Sequence, residues 1–301
     1  MVDVLDAVVV GAGPGGLTGA IYLGRFLRRF VVLDRGESRL DWIPISHNHP
    51  GFPRGVPGTV LRERMREQAL EYGAEIVAGE IVTAERDKEG VFALSTGDGA
   101  RFLARNVLLA TGVRDVEPAL PDVVGLVKRG LVRICPICDG FEQQGKRVGV
   151  IGDGPKAVNE AAFMRTYSED VTVLNIGGPA ALDADDRRRA AELNIDVVDT
   201  PVRTVHVEGD RIVALDLDDQ RRCAFDTVYA ALGFTPQGQL AGQLGAALGE
   251  DGRVFTDERQ MTNIPGLYAA GDVVRGLNQI SIAQAEAAIA ATAIHNRLKL
   301  L

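Results

Sequence analysis

A four-residue apolar run, AVVV at 7–10, breaks on glycines and gives way to LTGAIYLGRFLRR, whose apolar positions recur at helical spacing. A second apolar run, FVVLD at 30–34, follows at once. Continuous apolar strands around an amphipathic helix predict a parallel βαβ unit, because strands covered on both faces need no polar alternation. The pattern returns as RVGVIG at 147–152, VNEAAFMRTYS and VTVLN at 171–175. Between the two units, residues 79–112 alternate apolar and polar positions around the turns DKEG and GDG. That predicts a small antiparallel meander feeding the strand NVLLA. The second unit has its own short pair, TVHVEG and RIVALDLDD, and its own closing strand, TVYAALG. A last strand, GLYAAGDVV, precedes a long alanine-rich helix, SIAQAEAAIAATAIHNRL. The chain therefore reads as α/β with two Rossmann-type, three-layer dinucleotide-binding domains. Pro118 and Pro121, then Pro236, mark two crossings between them.

Composition narrows the class without changing this picture. The 301 residues are 46% hydrophobic and 25% charged, as in an ordinary globular protein. No apolar run approaches the roughly 20 residues of a membrane helix. The N-terminus reads as a first strand rather than a signal peptide. A net charge of -8 argues against nucleic acid as a partner. Three cysteines do not make a secreted disulfide framework, so the reading is a cytoplasmic protein.

Candidate chemistry begins at the first glycine cluster. Gly11, Gly13 and Gly16 stand in G-x-G-x-x-G spacing between strand and helix, and Asp34 ends the next strand. In such a unit the first glycine makes the turn, the second admits a pyrophosphate and the third lets helix and strand pack closely. The helix N-terminus faces the phosphates, and the acid accepts from a ribose. The second unit matches with Gly152, Gly154 and Ala157. Asn175 lies 23 residues after Gly152, as Asp34 lies 23 after Gly11. Asn175 thus stands where an NAD-binding acid would stand. No Arg or Lys occurs from 176 to 186 to hold the 2′-phosphate of NADP. The later run Arg187 to Arg189 reads as a solvated helix face.

Cys135 and Cys138, in RICPICDGFE, could form a structural disulfide, part of a metal site or a redox centre. A structural zinc needs four ligands, whereas Cys223 is remote and the four histidines show no paired spacing, so no metal site is expected. A Cys-x-x-Cys pair suits disulfide exchange, since one thiolate attacks and the other resolves the mixed disulfide. Pro136 restricts the turn, and a helical turn after Cys135 would favour its thiolate. Cys223 reads as a small buried apolar group.

The ordered blocks GAGPGG, HNHPGFP, LLATG, CPICDG, GDGPKA and YAAGD…NQISIAQAEA resemble the low-molecular-weight thioredoxin reductases over nearly the whole chain. The resemblance implies an FAD domain at 1–114 and 241–301, split by an inserted NAD(P)-binding-like domain at 115–240 that carries the CPIC motif. It also implies a homodimer. Carried over by motif, FAD would be held by Gly11, Gly13, Pro14, Gly15, Gly16, Asp34 and Arg35. Asn48 would lie beside the flavin, and the backbone of Ala84 would meet the adenine. Thr111 and Gly112 would pack near the cofactor, Gly271 and Asp272 against its ribityl and phosphate portion, and Gln279 and Ile280 along the isoalloxazine. Cys138 would face the flavin, Cys135 the substrate sulfur, and Asp139 would move protons. The sequence departs from the family at GESRLDWIPIS, where GGQL is usual, and at His49, where an aromatic is usual. It also has NIG where HRR is usual, which puts NAD(P)H use in doubt.

The expected function is an FAD-dependent disulfide oxidoreductase acting on a thioredoxin-like protein, with a donor other than NADPH, such as ferredoxin or another flavoprotein. The alternative runs the same centre backwards as an oxygen-dependent oxidase of a small or protein dithiol. A non-catalytic flavin-bearing protein is a third reading, opposed by the intact cysteine pair. Flavodoxin or ferredoxin NADP reductases of the same fold lack that pair.

Overall fold

The computed structural model describes residues 3–117, 122–209 and 211–300; Pro118 and Pro121 lie outside them. The chain divides into two compact units, one of residues 1–41, 58–114 and 235–301, the other of 42–57 and 115–234.

The first unit is built on a five-stranded parallel sheet. Its order is Leu267–Ala269, Val107–Leu109, Ala7–Val10, Phe30–Asp34 and Glu75–Ala78. The glycine-flanked strand is central, and Ala7, Val8 and Val9 are wholly buried. Complete burial on both faces is why this strand reads as an unbroken apolar run. The helix Pro14–Arg25 follows it, with Pro14 at its first position. Proline fits there because the first helical N–H has no intrahelical partner. The expected meander is present as Ile81–Arg86, Phe92–Thr96 and Arg101–Ala104, paired antiparallel. The alanine-rich helix Ile280–Leu298 buries Ala283, Ala287, Ala290 and Ala291, small side chains that allow close approach.

The second unit repeats the design. Its parallel sheet runs Val132–Arg133, Thr227–Ala231, Val148–Gly152, Val171–Asn175 and Asp196–Val198. The glycine-rich strand is again central, with the following βα strand on one side and the closing strand on the other. Apolar clusters cover both faces, one around Val150, Val158 and Met164, the other around Leu174, Leu215 and Val228. Cys223 packs against the second cluster as a small apolar group.

Residues 42–57 belong to this second unit although they follow the first βαβ of the other. Trp42 packs on its core. Ser46 and Val56 form an antiparallel bridge, and His47 Nδ1 stands 3.8 Å from Glu142 Oε1. No helix among the described residues is long and apolar enough to cross a membrane.

Candidate active site

The glycine loop of the first unit has the shape the spacing predicts. Gly11 has φ +102°, and a Cβ there would overlap the Ala110 carbonyl. A Cβ on Gly16 would overlap the Gly11 carbonyl oxygen, so loop and helix can close only with glycine at both positions. Gly13 is less crowded, its nearest neighbour being Ser38 Oγ at 3.6 Å. Gly15 lies against the Ala283 and Ala270 carbonyls.

Asp34 is buried at the end of its strand. Its Oδ1 accepts from the Ala12 N–H at 3.2 Å and its Oδ2 from Arg62 at 3.0 Å. Arg62 also donates to Asp41 at 2.6 Å. These residues border a cleft of about 630 Å³ lined further by Arg35, Thr59, Ala78 and Gly79. Arg35 is loosely paired with Glu37 and Glu80. Neither Arg62 nor Asp41 has a sequence signal. Arg62 sits in a helix so rich in charge that it reads as a solvated face, and only the fold turns it toward Asp34.

The remaining first-unit residues gather at the strand ends. Thr111 Oγ1 donates to the Gln237 carbonyl at 2.7 Å, and Gln237 N–H donates to the Gly112 carbonyl at 2.9 Å. Gly271 has φ +80° and donates its N–H to Glu286 Oε2 at 2.7 Å. Burial raises the Glu286 carboxyl above its usual range. Asp272 pairs with Arg39 at 2.8 Å. Gln279 caps the helix that begins at Ile280. Beside it, both amide atoms of Asn278 are buried and unpartnered among the described residues. The Ala84 N–H donates to Gln243 Oε1 at 2.9 Å.

A crowded glycine turn at a helix N-terminus, a buried acid bordering a cleft and an unsatisfied buried amide fit a flavin dinucleotide. Backbone N–H groups suit its pyrophosphate, Asp34 suits its ribose, and Asn278 lacks a polar partner.

The redox motif lies in the second unit. Cys135 and Cys138 form a disulfide with Cα atoms 5.3 Å apart. Cys135 stands at the N-cap of the single turn Pro136–Asp139 and Cys138 within it, and Cys138 N–H donates to the Cys135 carbonyl. Asn48 Nδ2 donates at 3.2 Å to the carbonyl of Ile137, between the two cysteines. Asp139 is held from behind. Tyr229, fully buried on the closing strand, donates its hydroxyl to Oδ1 at 2.7 Å, and Arg133 pairs with Oδ2. Arg133 Nε donates onward to Thr227 at 3.2 Å. Glu160, on the helix Pro155–Met164, completes the group. Burial, then the nearby Asp139 charge, pushes its carboxyl up to about 8. The Tyr229 hydroxyl is also raised, by burial and the same carboxylate. Arg133, Tyr229 and Glu160 carry no sequence signal, since each lies inside an ordinary strand or helix pattern.

At the second glycine loop the chain meets itself. A Cβ on Gly154 would stand 3.3 Å from the Ala181 carbonyl oxygen, and one on Gly177 would crowd Ala181 Cβ at 2.6 Å. Asn175 is fully buried and donates to the Gly178 carbonyl at 2.7 Å and to Asp199 at 2.6 Å. Arg187 closes a two-pronged bond on Asp199 at 2.9 and 3.1 Å. That bond lowers the Asp199 carboxyl below its usual range. Arg188 pairs with Asp185, and Arg189 with Asn159, so the arginine run is internally engaged. A nicotinamide dinucleotide needs a free acceptor or cation at this strand end and an open approach to the second glycine. Here Asn175 spends its amide N–H groups on Gly178 and Asp199 while its Oδ1 is buried without a partner among the described residues, Arg187 is bound to Asp199, and Ala181 stands close to Gly154.

Two repeated dinucleotide folds with a Cys-x-x-Cys disulfide define a flavin-type disulfide oxidoreductase. The chain belongs to the pyridine nucleotide-disulphide oxidoreductase family, whose model matches residues 5–287. It is 30% identical to a thioredoxin reductase of Peptoclostridium acidaminophilum, over 97% of this chain and 96% of the relative. It is similar to the solved structure of HlmI, at 32% identity and TM-score 0.89, over 99% of this chain and 94% of that one. The thioredoxin reductase structure from Streptococcus pyogenes matches at 25% identity and TM-score 0.91, over 99% of both chains. The protein is thus a thioredoxin reductase-like flavoenzyme of disulfide oxidoreduction.

Proposed function

We propose that the enzyme moves electrons between FAD and the Cys135–Cys138 disulfide and on to a thioredoxin-type protein, from a donor other than NAD(P)H. The observation that carries the reading is the engaged second nucleotide site, where Asn175, Asp199 and Arg187 bond one another and Ala181 faces Gly154.

FAD, when bound, supplies two-electron redox chemistry. The Gly11–Gly16 turn would hold its pyrophosphate, Asp34 its ribose, and Gln279 and Ile280 the isoalloxazine. The dithiol chemistry then belongs to the chain. Cys135 thiolate attacks the partner disulfide, breaking that bond and forming a mixed disulfide. Cys138 attacks the Cys135 sulfur, which re-forms the internal disulfide and releases the partner as a dithiol. Asp139 hands a proton to the departing sulfur. Ile137, between the cysteines, and Phe141, just after them, are 46% and 70% exposed, apolar surface suited to a protein partner rather than a small dithiol.

Anaerobic stopped-flow mixing of the holoenzyme with NADPH, and separately with NADH, tests the donor. The flavin band is expected to persist with both, and bleaching by either on the turnover timescale refutes the reading. Flavin reduction by a dithiol, followed by oxygen uptake and peroxide, would instead assign the reverse, oxidase direction.

A further inference from the structure

Three neighbouring strands of the second unit end in a row. Gly152 pairs with Asn175 and Leu174 with Val198 in the parallel ladder, so Gly152, Asn175 and Asp199 stand side by side at the carboxyl edge. That edge is where an α/β sheet takes a nucleotide. The segment 176–183 lies against it. Ile176 N–H donates to the Gly152 carbonyl at 2.9 Å, and the turn Pro179–Ala181 brings the Ala181 carbonyl 3.3 Å from where a Cβ on Gly154 would stand. Arg187, on the helix Ala184–Glu192, ties the segment down. It donates to the Pro179 carbonyl at 2.8 Å and forks onto Asp199 at 2.9 and 3.1 Å. Both Asp199 oxygens are therefore spent inside the chain, Oδ2 on Arg187 and Oδ1 on Arg187 and Asn175. Asn175 Oδ1 is left buried without a partner among the described residues, so the closed arrangement forgoes a hydrogen bond.

We propose that Arg187 is a specificity-determining residue for the electron donor. It excludes a nicotinamide adenine dinucleotide from the second glycine turn by pinning 176–183 and by occupying Asp199. Without the guanidinium, Asp199 and Asn175 Oδ1 are two acceptors on adjacent strand ends, a match for the two hydroxyls of an adenosine ribose. The uncovered Asp199 charge repels a 2′-phosphate, and Arg188 and Arg189 are engaged by Asp185 and Asn159. The opened site therefore favours NAD over NADP.

This role rests on the reading that the donor is not NAD(P)H, and calorimetric titration of the flavin-loaded holoenzyme with NAD⁺ and NADP⁺ separates the two. Oxidised nucleotides cannot reduce the flavin, so binding is read without turnover. The wild type should bind both more weakly than about 1 mM. Arg187→Ala should bind NAD⁺ at about 0.1 mM or tighter, a tenfold gain being the worth of one hydrogen bond to a charged group. The gain for NADP⁺ should be smaller. Arg187→Lys keeps a cation on Asp199 and should behave as the wild type. No gain in a folded Arg187→Ala, an equal gain for NADP⁺, or the same gain in Arg187→Lys overturns the role of Arg187 and leaves the donor reading standing. A wild type that binds either nucleotide tightly overturns both. Hydrogen exchange of the wild type covers a variant that fails to fold. The Ile176 and Ala181 amides, bonded to the Gly152 and Gly178 carbonyls, should be protected. Exchange there at the rate of a free peptide means that the segment is not pinned, and overturns the proposal.

Discussion

Tyr229→Phe deletes one oxygen and leaves the ring to fill its space. The lost bond is a hydroxyl donated at 2.7 Å to a carboxylate in an ion pair. Hydrogen bonds to charged groups contribute about 1.5–3 kcal/mol. The lower end applies, because Asp139 keeps Arg133 and its side chain is 17% exposed, so solvent can replace part of the loss. The expected destabilisation is about 1.5 kcal/mol, roughly tenfold in the unfolding constant. The chain has a single tryptophan, Trp42, and it packs on the core of the second unit. Its fluorescence during urea unfolding reports that unit directly. A double-mutant cycle with Asp139→Asn isolates the pair, and a coupling of at least about 1 kcal/mol is expected. Additivity within about 0.5 kcal/mol would refute the claim that Tyr229 holds Asp139.

Other consequences follow from the same geometry. Gly16→Ala forces the first glycine loop off its strand, so the purified protein should lose bound flavin, measured as the ratio of flavin to protein absorbance. Retention equal to wild type would contradict the crowding against Gly11. Glu160 has a folded-state carboxyl raised to about 8 from an ordinary value of 4.5. The stability this contributes is present below the ordinary value and is lost as pH rises through about 8. Urea midpoints of the wild type should therefore fall relative to Glu160→Gln between about pH 5 and 8 and run parallel above it.

Much of the architecture was legible because it follows from local chemistry. Apolar runs broken by glycine announce parallel strands, and the 23-residue offset from Gly11 to Asp34 and from Gly152 to Asn175 announces the repeat. The family and the α/β plan read from these blocks hold in the structure and its relatives. The NIG segment, in the place of the usual HRR, raised the expectation of a donor other than NAD(P)H, which the flavin-reduction experiment tests. It could not say what stands there instead.

The sequence by itself marked the candidate residues: the glycine turn, the acid ending the next strand, and the cysteine pair with its following Asp139. These depend on spacing within one turn or one βαβ unit, which a linear reading can see. Tertiary structure alone decided their partners. Arg62 reaches Asp34 across 28 residues, Tyr229 reaches Asp139 across 90, and Asn48 reaches Ile137 across 89. Such contacts are made by neighbouring strands and packed loops. A charged or aromatic side chain looks the same in sequence whether it faces water or a buried carboxylate.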